Sequence, residues 1–278
     1  MKLPTLFISH GSPMLALEPG RLGPLLGALG RRLPRPRAVL VLSPHWLSAQ
    51  REVLSSAQPA TVHDFGGFPR ALYGLQYPAP GAPDVAAEVI AQLTRAGLPA
   101  QANPTQGFDH GAWVPLRHLY PDADVPLLQL AQPSCPSPLV LLELGRALAP
   151  LRERGILIIG SGSLTHNLRE WRQSTSDEPY AQAFADWVWQ RTDAGDLGAL
   201  LDYRSQAPEA TRAHPTDEHL LPLHFAIGAA GDDWQHATRL AAGVSHGVLS
   251  MDSFVFGERP KLSADGHATA ANEERSVH

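Results

Sequence analysis

A single cysteine, Cys135, in a chain of 278 residues excludes an internal disulfide and any cysteine-based zinc cluster, and makes the cytoplasm the expected compartment. No apolar run approaches the roughly 20 residues that span a bilayer, so a membrane partner is not expected. Charge of one sign is also lacking. The 22 Lys and Arg against 27 Asp and Glu give a net charge of −5 with no basic stripe, which argues against nucleic acid as a partner. No His-Glu-x-x-His occurs, which counts against a zincin peptidase. The turn at Gly160 and Gly162 lacks both the Lys-Ser/Thr of a P-loop and the third glycine of a dinucleotide fingerprint. The N-terminus carries no basic-then-apolar leader, so the mature chain is expected to start near Met1.

What the chain does have is thirteen histidines, and several stand at the ends of short apolar runs. His10 follows the run 5–8, His45 follows 38–42, and His166 follows 155–160 and a Gly-Ser turn. In an open α/β sheet, ligands bind outside the carboxyl ends of the strands, so histidines placed there face a crevice. Gly11 permits a tight turn after His10, and Pro13 starts a new segment. Further strands are predicted over 51–56, 125–130 and 248–254, with 155–160, the most hydrophobic run, placed centrally. Residues 13–33 read as a loop followed by a helix, with leucines at 22, 25, 26 and 29 as its stripe, and further helices are predicted over 84–96, 114–119, 139–153, 180–192 and 218–230. Residues 62–69 read as an ordered loop and 73–83 as extended chain. The alternation predicts an α/β fold: a single layered domain, residues 1–257, with a central, mostly parallel or mixed sheet flanked by helices. A polar tail, 258–278, is expected to be disordered and carries His267 and His278; His236 and His246 fall in expected turns.

A neutral imidazole is the commonest metal ligand, and three imidazoles, or two with a carboxylate, leave open positions for substrate. His10 and His45 are the strongest candidates. A third ligand can come from the stretch 217–224, which offers Glu218, His219 and His224. An ideal helix separates residues five apart by about 140°, so His219 and His224 cannot both face one ion. Spacing alone leaves Glu218 and His219 open. His166, in a glycine-rich loop, suits a group that hydrogen-bonds a substrate and exchanges a proton, or a loop histidine held by backbone amides. His63-Asp64 and Asp109-His110 lie beside aromatics. They suggest a pocket with Phe65, Phe68, Phe108 and Trp113 as walls and His110 or His63 as a polar handle, or else simple loop anchors. No arginine presents itself as partner for a substrate carboxylate.

In order along the chain, His10-Gly-Ser-Pro, Ser43-Pro-His45-Trp46, His63-Asp-Phe-Gly-Gly-Phe-Pro, Gly107-Phe-Asp-His110-Gly, His166-Asn167-Leu168 and Glu218-His219-Leu-Leu-Pro-Leu resemble the class III extradiol ring-cleavage dioxygenases of the 4,5-DOPA dioxygenase type. The resemblance runs from about residue 5 to about residue 255. It implies one non-haem divalent metal held by His10, His45 and His219. It places His166 beside the ion as acid/base or a fourth contact, and His110 as a second catalytic group. The more distant protocatechuate-cleaving members use two histidines and a glutamate, which keeps Glu218 beside His219 as the alternative third ligand. Fe(II) is implied for activity. Zn(II) would fill the same site in the isolated protein but, being d¹⁰, could not run the redox step. The implied substrates are a catechol, DOPA-like or other, and O2, giving a ring-opened semialdehyde. The alternative readings are a zinc-dependent hydrolase on the same histidines and a non-enzymatic metal-binding relative.

Overall fold

In the computed structural model, which describes residues 2–171 and 176–257, the apolar runs become the middle of one sheet. In chain order the strands are β1 (Thr5–Ser9), β2 (Ala38–Ser48), β3 (Glu52–Leu54), β4 (Gln101–Asn103), β5 (Leu127–Pro133), β6 (Ile156–Gly162), β7 (Ala237–Leu240), β8 (Val244–Ser245), β9 (Leu249–Ser250) and β10 (Ser253–Phe256). Eight of them join in the order β4-β3-β5-β2-β6-β1-β10-β7, and β8 pairs with β9 apart from the sheet. The inner strands β5, β2, β6 and β1 are parallel, while β10 runs antiparallel to β1, so the sheet is mixed. Every residue of β1 and β6 is buried, which is why these strands read as unbroken apolar runs rather than as alternation.

The helices are α1 (Leu22–Arg32), α2 (Arg70–Tyr73), α3 (Pro83–Arg95), α4 (His110–Leu119), α5 (Pro138–Leu148), α6 (Pro179–Asp193), α7 (Leu197–Leu201), α8 (Tyr203–Gln206), α9 (Ala210–Ala213) and α10 (Leu221–Ala230). They flank the sheet as a single α/β domain, as expected. α10 is buried along its whole length, packed on β6, β1 and α5. Its approach to the sheet is backbone-close: a Cβ at Gly160 would overlap the Pro222 carbonyl, and one at Gly162 the His219 carbonyl. Among the described residues, no helix is long and apolar enough to cross a membrane.

Several boundaries differ from the sequence expectation. β2 does not stop at residue 42: it continues to Ser48 through a register shift between Ser43 and Leu47, so His45 sits on a bulge within the strand rather than past its end. α4 begins at His110, not at 114, because the Asp109 carboxylate caps it by accepting from the Ala112 N–H. The helix expected from 218 starts at Leu221, with Pro222 in its first turn, leaving Glu218 and His219 in the turn before it. The expected helix 139–153 ends at Leu148, and Pro150 falls in the 3₁₀ turn Ala149–Arg154 that follows. The expected strand 248–254 is two strands in different sheets, β9 and β10. β4 and β7, which have no apolar run, and the short helices α7 to α9 were not anticipated. The tail 258–278 lies outside the described residues.

Candidate metal centre and substrate cleft

Five histidines converge at the carboxyl ends of β1, β2 and β6. His10 follows β1 directly, its N–H donating to the Gly162 carbonyl at 2.9 Å. The β2 bulge delivers His45. His219 is tied to the end of β6 by the Ser163 N–H, which donates to its carbonyl at 2.8 Å, and His166 is tied to α9 by its own N–H donating to Ala213 O at 2.8 Å. The first residue of α4 is His110. Ring centroids lie 5.0 Å apart for His10–His45, 5.5 Å for His10–His219 and 5.0 Å for His45–His219. His110 stands 3.8 Å from His45, and His166 stacks on His219 at 3.4 Å with the planes 10° apart. Candidate ligand atoms of His10, His45 and His110 lie within 4.8 Å of one another, and so do those of His166, Glu218 and His219.

The hydrogen bonds fix which ring nitrogens carry protons. Ser161 Oγ donates to the Gly111 carbonyl, so toward His10 it can only accept. His10 Nδ1–H therefore donates to it at 2.9 Å, leaving Nε2 as a lone pair. His219 Nδ1–H donates to Glu218 Oε1 at 3.2 Å, and its Nε2 is buried with no hydrogen-bond partner. His45 Nε2 faces His10 Nε2 at 3.1 Å, while its Nδ1 side looks toward Asp64 Oδ2 at 3.7 Å. Two nitrogens so close, and a buried nitrogen without a partner on a ring 5.0 Å from His45, are atoms that a cation can satisfy. This is the fit expected of a divalent ion bound by neutral imidazoles.

The electrostatics agree. Burial, reinforced by the neighbouring imidazoles, holds His10 and His219 well below the ordinary imidazole range. Burial, with His110 beside it, pushes His45 down to about 3. His166 is lowered to about 4 by burial, against the opposing pull of Glu218. These four rings are thus neutral near pH 7, the state in which an imidazole binds a metal or accepts a proton. Asp64 accepts from both His110 N–H and His110 Nδ1–H, each at 2.9 Å. Burial pushes its carboxyl up, but those bonds and the charge of His110 outweigh it and hold the group below its usual value.

Beside the histidines opens a cleft of about 460 Å³, whose walls include Phe65, Phe68, Leu168, Trp171 and Leu249, with His45, His110, His166 and His219 on its lining. The expected Phe65 and Phe68 walls are present. Phe108 and Trp113 are not on the cleft: both are fully buried, Trp113 behind Phe65 with its Nε1–H donating to Val62 O. Nor is His63 a handle, since its Nε2–H donates to Leu75 O at 2.9 Å. His224 lies apart from the site, donating to Leu200 O. His236 and His246 fall in turns, as expected, and His246 stacks on Trp171 at 4.3 Å. Trp171, Leu249 and Ser161 were not foreseen, having no distinctive spacing. Asp64 was noticed, but its attachment to His110, 46 residues on, leaves no local signal. Gly243-Val244-Ser245-His246-Gly247 fits Gly-x-Ser-x-Gly in letters, yet it spans the β8–β9 hairpin rather than a strand-to-helix elbow.

The profile of one protein family, the catalytic LigB subunit of aromatic ring-opening dioxygenase, matches residues 4–251. The chain belongs to that family. As a class III extradiol dioxygenase, it is 40% identical over 265 residues to the 4,5-DOPA dioxygenase extradiol of Escherichia coli K12, covering 92% of this chain and 95% of the relative. It is 38% identical to the 4,5-DOPA dioxygenase extradiol of Beta vulgaris, covering 91% and 96%. The crystal structure of uncharacterized protein JW3007 from E. coli K12 superposes with a TM-score of 0.76 at 34% identity, covering 92% of this dioxygenase and all of that chain. An aromatic ring-opening dioxygenase takes an aromatic substrate and O2. Family membership therefore sets the dioxygenase reading above the zinc hydrolase and the non-enzymatic relative.

Proposed function

We propose that this enzyme opens the ring of a catechol with O2, extradiol, to a semialdehyde, using one divalent metal held by Nε2 of His10, His45 and His219. The observation that carries the ligand assignment is the buried, unpartnered Nε2 of His219 beside the facing Nε2 atoms of His10 and His45. Glu218 belongs behind this set, since its Oε1 is taken up by Thr216 Oγ1 and His219 Nδ1. Fe(II) bound there supplies the redox chemistry that joins O2 to an aromatic ring, which Zn(II) does not.

The chain's own residues do the rest. His166, neutral and on the cleft, takes a phenolic proton on a ring nitrogen and can return it later. Its stacking on His219 fixes the plane in which it does so. His110 has Nδ1 committed to Asp64, which leaves Nε2 as the nitrogen for a hydrogen bond with the reacting oxygens. Phe65, Phe68 and Trp171 hold the ring and exclude water. The enzyme's place is the cytoplasm, on the argument of its one exposed thiol, Cys135.

A second reading has its own observation: the ligand atoms of His110, not His219, group with those of His10 and His45. Two variants separate them. His219→Ala should lose bound metal, whereas His110→Gln should keep it and lose turnover. The reverse pattern reassigns the third ligand. For the activity itself, metal-free protein is loaded with Fe(II) without oxygen, given catechol and then O2. A yellow ring-opened product with Fe(II), none with Zn(II), and its loss in His166→Ala are the expected results. No O2 uptake across a catechol panel, with metal stoichiometrically bound, would refute the proposal.

A further inference from the structure

We propose that His246 is a positioning residue of the substrate cleft, one that holds the indole of Trp171 on the wall where the catechol ring binds. The inference rests on the catechol reading above and extends it to a side chain which that reading leaves unused. The imidazole of His246 stacks on Trp171 with 4.3 Å between centroids and the planes 20° apart. Trp171 lines the cleft and His246 does not; His246 lines a neighbouring cavity instead. The imidazole therefore backs the indole from the side away from the cleft.

The backbone at His246 is one that the turn itself would give to another residue. Val248 N–H donates to Ser245 O at 3.3 Å and closes a turn whose central residues, His246 at φ +52° and Gly247 at φ +75°, are both left-handed. Asn-Gly is the pair that fills such a turn with least strain, and a histidine there carries the cost of its Cβ. The frame under the turn is fixed. Thr165, next to His166, donates through Oγ1 to Val248 O and accepts from the Ser250 N–H, both at 2.7 Å. The Asp252 carboxylate accepts from the N–H groups of Ala242 and Gly243 at 2.7 and 2.9 Å. After Trp171 the chain returns to the same turn, where the Glu178 N–H donates to Gly247 O at 2.7 Å. Trp171 itself is only half-buried. An indole that leaves the wall lowers the fraction of enzyme ready for the substrate ring, and apparent affinity falls with that fraction. An aromatic stack biases this balance by up to about tenfold.

The test compares His246→Asn, which suits the turn and removes the ring, with His246→Phe, which keeps an aromatic face and strains the turn. O2 uptake by the Fe(II)-loaded protein is measured with catechol. His246→Asn should raise KM about 3- to 10-fold and hold kcat within about twofold, with the Tm unchanged or higher. His246→Phe should bring KM back to within about twofold of the wild type, with a lower Tm. KM and stability then move in opposite directions, which a purely structural role does not produce. In a Trp171→Leu background the same His246→Asn change should shift KM by less than about twofold. A second readout needs no turnover. In protein labelled with 5-fluorotryptophan, the fluorine resonance lost in Trp171→Phe belongs to Trp171, and it should move in His246→Asn. An unchanged KM in His246→Asn, an equal rise in His246→Phe, a rise undiminished without Trp171, or an unmoved fluorine resonance each overturns the inference and leaves the catechol reading intact. No turnover by the wild type with catechol or its substituted relatives overturns the catechol reading instead, and the fluorine resonance then decides alone whether His246 holds Trp171.

Discussion

Replacing Gly162 by alanine tests whether β6 fixes the position of His219. A Cβ there would overlap the His219 carbonyl oxygen and press on Pro222 Cγ at 3.1 Å. Carbon meets a carbonyl oxygen comfortably only at roughly 3.3 Å, so the two backbones must part by about 1 Å. That movement strains the Ser163 N–H bond to His219 O, now 2.8 Å. Losing the bond costs about 1 kcal/mol, and overpacking of a filled interior costs about 1–3 kcal/mol more. Alanine recovers about 0.5–1 kcal/mol of chain entropy in a strand, so the clash wins by roughly 1–3 kcal/mol. The Tm should fall by several degrees, roughly 3–9 °C. If His219 is the third ligand, as proposed, a shift of about 1 Å also misplaces it for function, so metal affinity and kcat should drop together, kcat by about 10²-fold. The assays are calorimetric Tm, chelator competition for bound metal, and O2 uptake. Gly198→Ala is the control: in α7, where the new Cβ meets only Asp196 Oδ1 at 3.8 Å, it should leave metal affinity unchanged and not lower the Tm. Normal Tm and metal affinity in Gly162→Ala would refute the reasoning, because the His219 turn would then have slack that the packing denies it.

Asp64→Asn removes the charge and one of the two acceptors that hold His110, so kcat should fall about 10- to 100-fold with metal content unchanged; an unaltered kcat would remove Asp64 from the site. Arg212→Met cuts the paired bond to Glu170, whose Oε1 also accepts from Asn167 next to His166. KM for every catechol should rise severalfold with kcat nearly preserved, and a loss confined to Tm would make Arg212 merely structural. His224 is buried and lowered to about 4, away from the metal centre, with Nε2–H on Leu200 O. Between pH 6.5 and about 4 the unfolded chain binds a proton here that the folded chain does not, so stability is full above 6.5 and falls as pH drops through that window. The single site accounts for about 3 kcal/mol, and urea unfolding at several pH values should show His224→Gln losing that much pH dependence; a parallel pair of curves would contradict it.

How much of this could be read from the chain varied with the range of the interaction. His10 was legible because the end of β1 coincides with the end of an apolar run. His45 was legible as a residue and wrong as a position, since a bulge that carries a strand past Ser43-Pro44 has no periodic signature. Two helix starts had readable signals that periodicity overrode: Asp109 as a cap before α4 and Pro222 in the first turn of α10. The aromatics show the limit. Phe108 sits in a bridge with Thr61 and turns into the core, while Trp171, in a polar stretch, lines the cleft. Both are large and apolar, and only packing between distant segments decides which one meets a ligand.

The anchoring of the histidines also bears on what the site can recognise. Three of the five rings hold their Nδ1 protons on groups from separate segments: His10 on Ser161 of β6, His110 on Asp64 of a loop, and His219 on Glu218 of the turn before α10. If His10, His45 and His219 hold the ion, the ligand set is uncharged. The two carboxylates sit one layer back, so most of a divalent charge is left for the substrate to neutralise. A catechol losing its protons does this at the diol end, while the rest of its ring lies against Phe65, Phe68 and Trp171. The two ends of one small molecule are thus read by different forces, charge at the histidines and buried apolar area at Phe65, Phe68 and Trp171. An alteration at the walls should therefore change which catechol is chosen, whereas one at the Nδ1 anchors should change whether any is opened.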